Sequence, residues 1–198
     1  MELNNERVDL LNGKEEFTNN GIPIGLSIID FWQFQYSNIW DMQEYIAEFL
    51  IAKSLDLKTP QNCNGWTLWD ILYRDYRIEI KSSAYYHSWR LDGKISKKRV
   101  FNITKAFSRY KDSTSEYKRQ NDVYIFCLNV GHTKDESNPL HLENWQFYII
   151  PTKTINEICK DNKTISLGQI QKITGSSIGI SYENLKGEID KIIDNLNQ

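Results

Sequence analysis

Apolar and polar side chains alternate in two neighbouring segments near the middle of the chain. The first is WTLWDILY (66–73), the second is YRIEIKSS (76–83), and only two residues separate them. Alternation with a period of two is typical of β-strands, and so short a connection predicts a hairpin. The isoleucines of the second strand then face the core, which places Glu79 and Lys81 together on the opposite face.

Other segments carry the periodicity of further regular elements. Residues 38–57 repeat apolar side chains at helical spacing, after Ser37 as a candidate N-cap. DVYIFCLNV (122–130) is apolar on both faces, which is typical of a central strand. We also predict strands at 99–105 and 145–151, a short helix near 105–111 and a last helix near 181–196. This order predicts an α/β fold with a mixed central sheet flanked by helices.

The organisation of the chain predicts one domain over residues 1–198. No internal repeat, low-complexity tract or Pro/Gly-rich linker divides it. We expect residues 1–20 to be poorly ordered, because they are polar, and residues 21–37 to be irregular.

The C-terminal extension, residues 152–198, is expected to add a strand and helices to this core. Thr154 with Glu157, and Ser166 with Gln169, stand at the spacing of capping boxes, which predicts a helix start at each.

Composition narrows the class of protein. The 198 residues carry a net charge of −2 and include six Trp and eleven Tyr. The polar start has no apolar signal-peptide segment, and no apolar run is long enough to cross a membrane, so we expect a cytoplasmic protein. Cys63, Cys127 and Cys159 show no CxxC spacing, which fits reduced thiols, and the three histidines show no metal-ligand spacing.

The near-neutral net charge hides a basic segment. Residues 90–119 contain ten Lys or Arg and three acidic residues. Two interpretations remain open at this point: a contact surface for a polyanion, or a solvated hairpin and helix face.

The hairpin register decides which polar side chains meet. A turn centred on residues 74–75 places Asp70 opposite Glu79, and a turn one residue later places it opposite Lys81. In both registers the three side chains share one face. A three-residue loop would instead place Asp70 opposite Ile80 and scatter the set.

Two facing carboxylates repel each other unless a positive group lies between them. Mg²⁺ binds one or two carboxylates, keeps several waters and leaves room for a phosphate oxygen, and Lys81 could orient a water or offset developing charge. The pattern therefore indicates metal-assisted phosphodiester hydrolysis. The alternative is an exposed Glu-x-Lys pair that arose by chance, with Asp75 as a simple turn residue.

The segment WDILYRDYRIEIKSSAYYHSW (69–89) resembles the PD-(D/E)xK motif of restriction-endonuclease-like nucleases, and most closely a group of small bacterial proteins. DFWQFQYSNIWDMQEYIAEFLIAKSL (30–55) and the segment 122–151 also resemble that group, so the likeness covers roughly 30–151. It implies a restriction-endonuclease-like αβββαβ core. The chain departs from the motif at Trp69, where the family pattern has proline.

The resemblance also implies roles for individual residues. Asp70 and Glu79 would be metal-binding carboxylates, the main-chain carbonyl of Ile80 a further ligand, and Lys81 the catalytic lysine. Glu48, on the preceding helix, is an additional candidate ligand or else a solvated helix residue. The expected cofactor is Mg²⁺, for which Mn²⁺ could substitute.

Residues beside the motif are candidates for contact with DNA, expected to be double-stranded. The serine and aromatics of the motif could line a groove, or could be satisfied by backbone and core, whereas the basic residues entering the third strand are better candidates for phosphate contacts. The candidates are Ser83, Tyr85, Trp89, Lys97, Lys98 and Arg99.

The leading hypothesis is a Mg²⁺-dependent endodeoxyribonuclease of the restriction-enzyme type. Two alternatives are a nucleic-acid-binding or scaffold protein without activity, and a repair or RNA nuclease. Restriction-type nucleases often act as two-fold homodimers, but nothing in the sequence identifies a dimer interface.

Overall fold

The structure is a computed structural model that describes residues 11–57, 68–87, 95, 99–107 and 116–196. The strands are β1 (Glu16–Asn19), β2 (Ile22–Ser27), β3 (Ile71–Tyr73), β4 (Tyr76–Ala84), β5 (Val100–Asn102), β6 (Val123–Asn129), β7 (Trp145–Pro151) and β8 (Thr164–Ser166). The α-helices are α1 (Ile28–Gln35), α2 (Gln43–Ser54), α3 (Thr152–Cys159), α4 (Leu167–Thr174) and α5 (Tyr182–Leu196), with 3-10 turns at Ile39–Met42 and Leu142–Asn144.

A four-stranded sheet in the order β3-β4-β6-β7 forms the centre of the fold. Strand β4 runs parallel to β6, and the other two pairings are antiparallel. All seven residues of β6 are buried, which confirms its central position. Helices α2 and α5 cover one face of the sheet, and α3, α4 and strands β5 and β8 cover the other. The predicted mixed α/β fold with a helix-flanked mixed sheet is confirmed.

Alternation along β4 sorts its side chains between these two layers. Ile78 and Ile80 are buried under α2 and α5, whereas Glu79 and Lys81 point to the layer that contains Tyr124. The sheet thus places polar side chains of β4 beside the aromatic and aliphatic residues of the second core.

The β3–β4 hairpin has the first of the two registers considered above. Ile71 pairs with Ile78, and the two turn residues, Arg74 and Asp75, have φ angles of 50° and 67°. Positive φ at both positions is typical of a type I′ turn, whose twist suits a two-residue hairpin. Strand pairing ends at Ile71, so β3 is much shorter than the strand predicted over 66–73.

The prediction that residues 99–105 form a third strand of the central sheet is wrong. Residues 100–102 form β5, but β5 pairs antiparallel with β8 and lies outside the central sheet. Residues 105–107 are not helical, since Ala106 forms a bridge to Lys118. The rest of the helix predicted near 105–111 lies outside the described residues. Within the residues that the structure describes, the central sheet therefore contains no third strand between β4 and β6 in the chain, as the expected αβββαβ order would require.

The helix starts can be compared with the capping boxes predicted from the sequence. The Ser166–Gln169 capping box is present at the start of α4, as predicted. The prediction of a helix start at the Thr154–Glu157 capping box is wrong, because α3 begins at Thr152, directly after Pro151. The helix predicted over 38–57 is divided into a 3-10 turn and α2.

The segment before α2 is more regular than its polarity indicated. Strands β1 and β2 form a hairpin, and Ser27 caps α1 through a capping box with Asp30. Residues 21–37 were therefore wrongly expected to be irregular, and β1 lies within the segment expected to be poorly ordered. Among the helices that the structure describes, none combines the length and hydropathy needed to cross a bilayer.

Candidate functional site

Strand β4 brings Glu79 and Lys81 into direct contact. The Lys81 ammonium Nζ lies 2.5 Å from Glu79 Oε1, and 25% and 19% of the two side chains are exposed. Residues two apart on a strand share a face, so the contact follows from the alternation that buries Ile78 and Ile80. The pair is sheltered from solvent yet still reachable from it.

Asp70 reaches the same place from the end of the neighbouring strand. Its N–H donates to the Ile78 carbonyl at 2.9 Å, and its carboxylate Oδ2 accepts the Ile80 N–H at 2.6 Å. The carboxylate thus occupies the position that a strand carbonyl would otherwise take. The backbone of β4 thereby fixes Asp70 beside Glu79 rather than leaving it in a flexible turn.

Asp70 and Glu79 line one cavity of about 190 Å³. The remaining wall comes from residues before β3, after β5 and before β6, and from the start of β6 itself: Leu68, Thr104, Ala106, Lys118, Arg119, Gln120, Asn121 and Tyr124. The lining is predominantly polar. This arrangement can hold a small hydrophilic group against two carboxylates.

Burial and mutual repulsion perturb the carboxyl groups of the site. Burial, with the charge of Asp70 added, raises the pKa of Glu79 to about 7. Burial also raises the pKa of Asp70. The hydrogen bond from the Ile80 N–H and the charge of Lys81 lower that pKa, but burial has the larger effect. Burial alone would lower the pKa of Lys81, but the charges of Glu79 and Asp70 outweigh it and raise that pKa. The lysine therefore stays charged between carboxylates that resist ionisation.

Glu48 belongs to the same electrostatic environment. It is half-buried on α2, and burial followed by the charge of Asp70 raises its pKa to about 7. Glu44, one turn earlier on the same helix, contributes further repulsion. Two interpretations of Glu48 were open: a solvated helix residue, or a residue beside the site. Its partial burial and its raised pKa favour the second.

The donor set is compatible with a hard divalent cation. Three carboxyls with raised pKa values around one ammonium form a region where added positive charge is favourable. Among the residues that the structure describes, no group of three or more His, Cys, Asp or Glu side chains is placed to hold a metal ion. Two carboxylates and a main-chain carbonyl remain a sufficient protein contribution for Mg²⁺, which usually keeps several waters. Asp70, Glu79 and the Ile80 carbonyl provide these donor atoms. Glu48 lies near them as an additional carboxylate.

The structure describes three of the six residues proposed for DNA contact: Ser83, Tyr85 and Arg99. Ser83 lies half-buried on the same face of β4 as Lys81. The Arg99 guanidinium lies 3.5 Å from the centroid of the Tyr85 ring, which packs against the second core. Trp89, Lys97 and Lys98 lie outside the described residues.

Sequence reasoning missed the segment that closes the cavity opposite the carboxylates. Tyr124 is paired with Glu79 across β4 and β6, and burial, with the charge of Glu79 added, raises the pKa of its hydroxyl. Gln120 and Asn121 anchor the loop through their side-chain amides, to Ala106 O and to Thr152 Oγ1 respectively. The signal was present as a polar KRQND run (118–122) directly before a buried strand, which places these residues at the end where that central strand begins.

Arg119 corrects one part of the basic-segment hypothesis. Only 5% of this residue is exposed, and its guanidinium donates to three main-chain carbonyls and to Asn156 Oδ1. Its donors are directed into the protein, so it ties the cavity loop to α3 and contributes no free charge to a DNA-binding surface.

Comparisons with known proteins found no relative of this chain. No protein-family model matches the sequence, and neither the curated proteins nor the solved structures contain a match.

The raised pKa values predict how the stability of the metal-free protein depends on pH. Folded Glu79, with a pKa of about 7, retains a proton that the unfolded chain releases near its ordinary value of 4.5. Rising pH therefore favours unfolding across this interval. In EDTA, Glu79→Gln should be more stable than wild type at pH 8, by about 1–3 kcal/mol, and much closer to it at pH 5.

Urea denaturation at both pH values measures this difference, with the exposed Glu143→Gln as the matched control. Added Mg²⁺ should raise the stability of wild type at pH 8 and have little effect on Glu79→Gln. An equal pH dependence in wild type and Glu79→Gln would contradict the electrostatic account of the site.

Proposed function

We propose that this protein is a Mg²⁺-dependent endodeoxyribonuclease with a restriction-endonuclease-like core. The observation that carries the proposal is the convergence of Asp70, Glu79 and Lys81: two elements deliver the carboxylates to one cavity, and the lysine contacts Glu79. A carboxylate pair costs stability when it is buried without a cation, which supports a role in binding one.

Each residue then has a distinct task. Asp70 and Glu79 would hold the cation, with the Ile80 carbonyl as a main-chain ligand. The chemistry that a bound Mg²⁺ would supply there is polarisation of the phosphate and a lowered pKa of a water. Lys81 keeps its charge beside Glu79, so it can orient the attacking water by hydrogen bonding and offset charge on the phosphate in the transition state.

DNA is the substrate that the surrounding charge favours. The basic segment 90–119 contributes cations next to an otherwise acidic chain, and two of its described members, Arg99 and Lys118, lie near Tyr85 and the cavity. Ser83 and Tyr85, on the same face as the site, extend this surface as candidate contacts. Phosphate contacts of this kind do not depend on sequence, so they support binding of a duplex without indicating a recognition site.

The direct test is cleavage of supercoiled plasmid DNA by purified full-length protein. We expect nicked or linear product with Mg²⁺ or Mn²⁺ and none with EDTA. A single-stranded DNA and an RNA of matched length separate the proposed substrate from the alternatives. Absence of cleavage of any of these substrates with any divalent cation, together with retained DNA binding, would favour a binding protein without activity.

Neutralising the basic residues that enter β5 should weaken DNA binding without regard to sequence. For Lys97→Ala, Lys98→Ala and Arg99→Ala combined, we expect the salt dependence of the binding constant to flatten by about 0.9 log units per log salt for each lost contact, because fewer counterions are released. Fluorescence anisotropy at several salt concentrations measures the slope. The control replaces three exposed lysines outside the segment: Lys153, Lys172 and Lys191. Equal slopes for the two triple variants would assign residues 97–99 to ordinary solvated surface.

A further inference from the structure

Residues 11–36, here called the N-terminal arm, form a small structured unit with almost no interior. The arm comprises the β1–β2 hairpin and α1, and every one of its residues is described. Its only buried residue is Gly13, against which Trp32 and Ile29 pack. A two-stranded hairpin is marginally stable by itself in water, so this unit needs a further surface to pack on.

The arm exposes an unusually large apolar surface. Nine of its large apolar residues are between 42% and 82% exposed: Leu11, Phe17, Ile22, Ile24, Leu26, Ile29, Phe31, Phe34 and Tyr36. At about 180 Å² for each large apolar residue, with roughly half of it exposed, they present about 800 Å². That area exceeds the apolar patches usual on monomers and equals the contribution of one partner, about 800 Å², to a standard stable interface.

The charges of the arm restrict the chemistry of its partner. Residues 11–36 contain one cation, Lys14, and three acids, Glu15, Glu16 and Asp30, and residues 16–36 contain no cation. Asp30 is already bonded to Ser27 N–H and Oγ in the capping box. A surface with a net negative charge does not attract nucleic acid or an anionic membrane. The partner surface is therefore predominantly apolar.

A second copy of this chain meets both requirements. Its own arm supplies an apolar surface of the same area, and two such surfaces can meet about a two-fold axis. Ile22, Ile24 and Leu26 are all exposed on β2, and together they give a strip of apolar side chains for this contact. Pro23 lacks an N–H and so disfavours pairing through the edge of β2, which leaves packing of side chains, face to face, as the mode of contact.

We infer that the N-terminal arm is a dimerisation surface through which two copies of this chain associate, apolar face to apolar face. This inference does not depend on the nuclease proposal, since it concerns residues away from Asp70, Glu79 and Lys81.

The oligomeric state of the full-length protein tests the inference. Sedimentation equilibrium over micromolar concentrations should give a dimer for wild type. Ile24→Asp and Phe34→Asp, made separately, should each raise the dimer dissociation constant by at least about tenfold, because a charge would be buried in the contact. Both residues are exposed within one copy, so the monomers should melt at the temperature of diluted wild type.

Two exposed isoleucines outside the arm provide matched controls. Ile158 on α3 is 53% exposed, against 52% for Ile24, and Ile178 is 69% exposed, against 69% for Ile22. Ile158→Asp and Ile178→Asp should leave the dimer unchanged. The inference is overturned if wild type is monomeric throughout, if the arm variants dimerise like wild type, or if the controls dissociate equally. Sedimentation of wild type with phosphatidylcholine vesicles, lost in Ile24→Asp, would overturn it in favour of a lipid surface. None of these measurements requires cleavage, so they remain informative if the nuclease proposal fails.

Discussion

Replacing either carboxylate of the site by its amide is expected to reduce DNA cleavage by at least about a hundredfold, since even the outer partners of metal ligands contribute about 10–100-fold to affinity or activity. Asp70→Asn and Glu79→Gln keep the side-chain size while removing the charge that would bind the cation. In Asp70→Asn the amide oxygen can still accept the Ile80 N–H, so the local backbone should be retained. Plasmid cleavage with Mg²⁺, set beside gel-shift binding in EDTA, separates loss of chemistry from loss of DNA affinity.

Lys81→Ala should also lose cleavage, by about 10²–10⁴-fold, but through a different step. The lysine acts on water or on transition-state charge, so the variant should still bind Mg²⁺, whereas the two amide variants should not. Calorimetric titration with Mg²⁺ distinguishes the two classes. Asp56→Asn and Lys186→Ala are suitable controls, because they remove an exposed carboxylate and an exposed ammonium that pair with each other away from the cavity. Cleavage by the Asp70, Glu79 or Lys81 variants at wild-type rates would contradict the proposed roles.

The part of the site that the sequence predicted correctly depends on local geometry. Strand alternation placed Glu79 and Lys81 on one face, and a two-residue turn set the register that brings Asp70 near them. Both are short-range effects, determined by side chains within about a dozen positions of one another. The burial of β6 was likewise readable, because a strand between two covered faces must be apolar on both.

The parts that the sequence did not predict depend on contacts between distant segments. Residues 100–102 have strand-like character, but their partner is β8, more than sixty residues later, and nothing local distinguishes that pairing from a place in the central sheet. The strip on β2 was obscured for a different reason. Pro23 and Gly25 occupy the positions that alternate with its apolar residues, and both are typical of irregular segments.

Charge was the least reliable signal, because a count of basic residues does not show where their donors point. Arg119 belongs by sequence to the basic segment, yet its guanidinium is directed inwards. Lys118, beside it, is paired with Glu116 at the surface. The two neighbours therefore provide an internal comparison of a buried and an exposed cation, and their variants should behave very differently.

Arg119→Ala is expected to destabilise the protein by about 3–5 kcal/mol, because several acceptors lose their charged donor at about 1–3 kcal/mol each. The substitution leaves the carbonyls of Ile103, Lys160 and Asn162 without their donor and opens a cavity between the β6 loop and α3. Acceptors that lose their donor inside the fold recover only part of the hydrogen bonding that water gives them in the unfolded chain. Urea denaturation at one pH measures the loss.

The control is Lys118→Ala, which removes an exposed cation from the adjacent position and should change stability by no more than about 0.5 kcal/mol. Arg119→Lys should recover little of the loss, because a single ammonium cannot reproduce a planar fork that donates in several directions at once. At temperatures where Arg119→Ala remains folded, its affinity for DNA should equal that of wild type, since the donors of Arg119 are already occupied. Weakened DNA binding with unchanged stability would instead return Arg119 to the phosphate-binding surface.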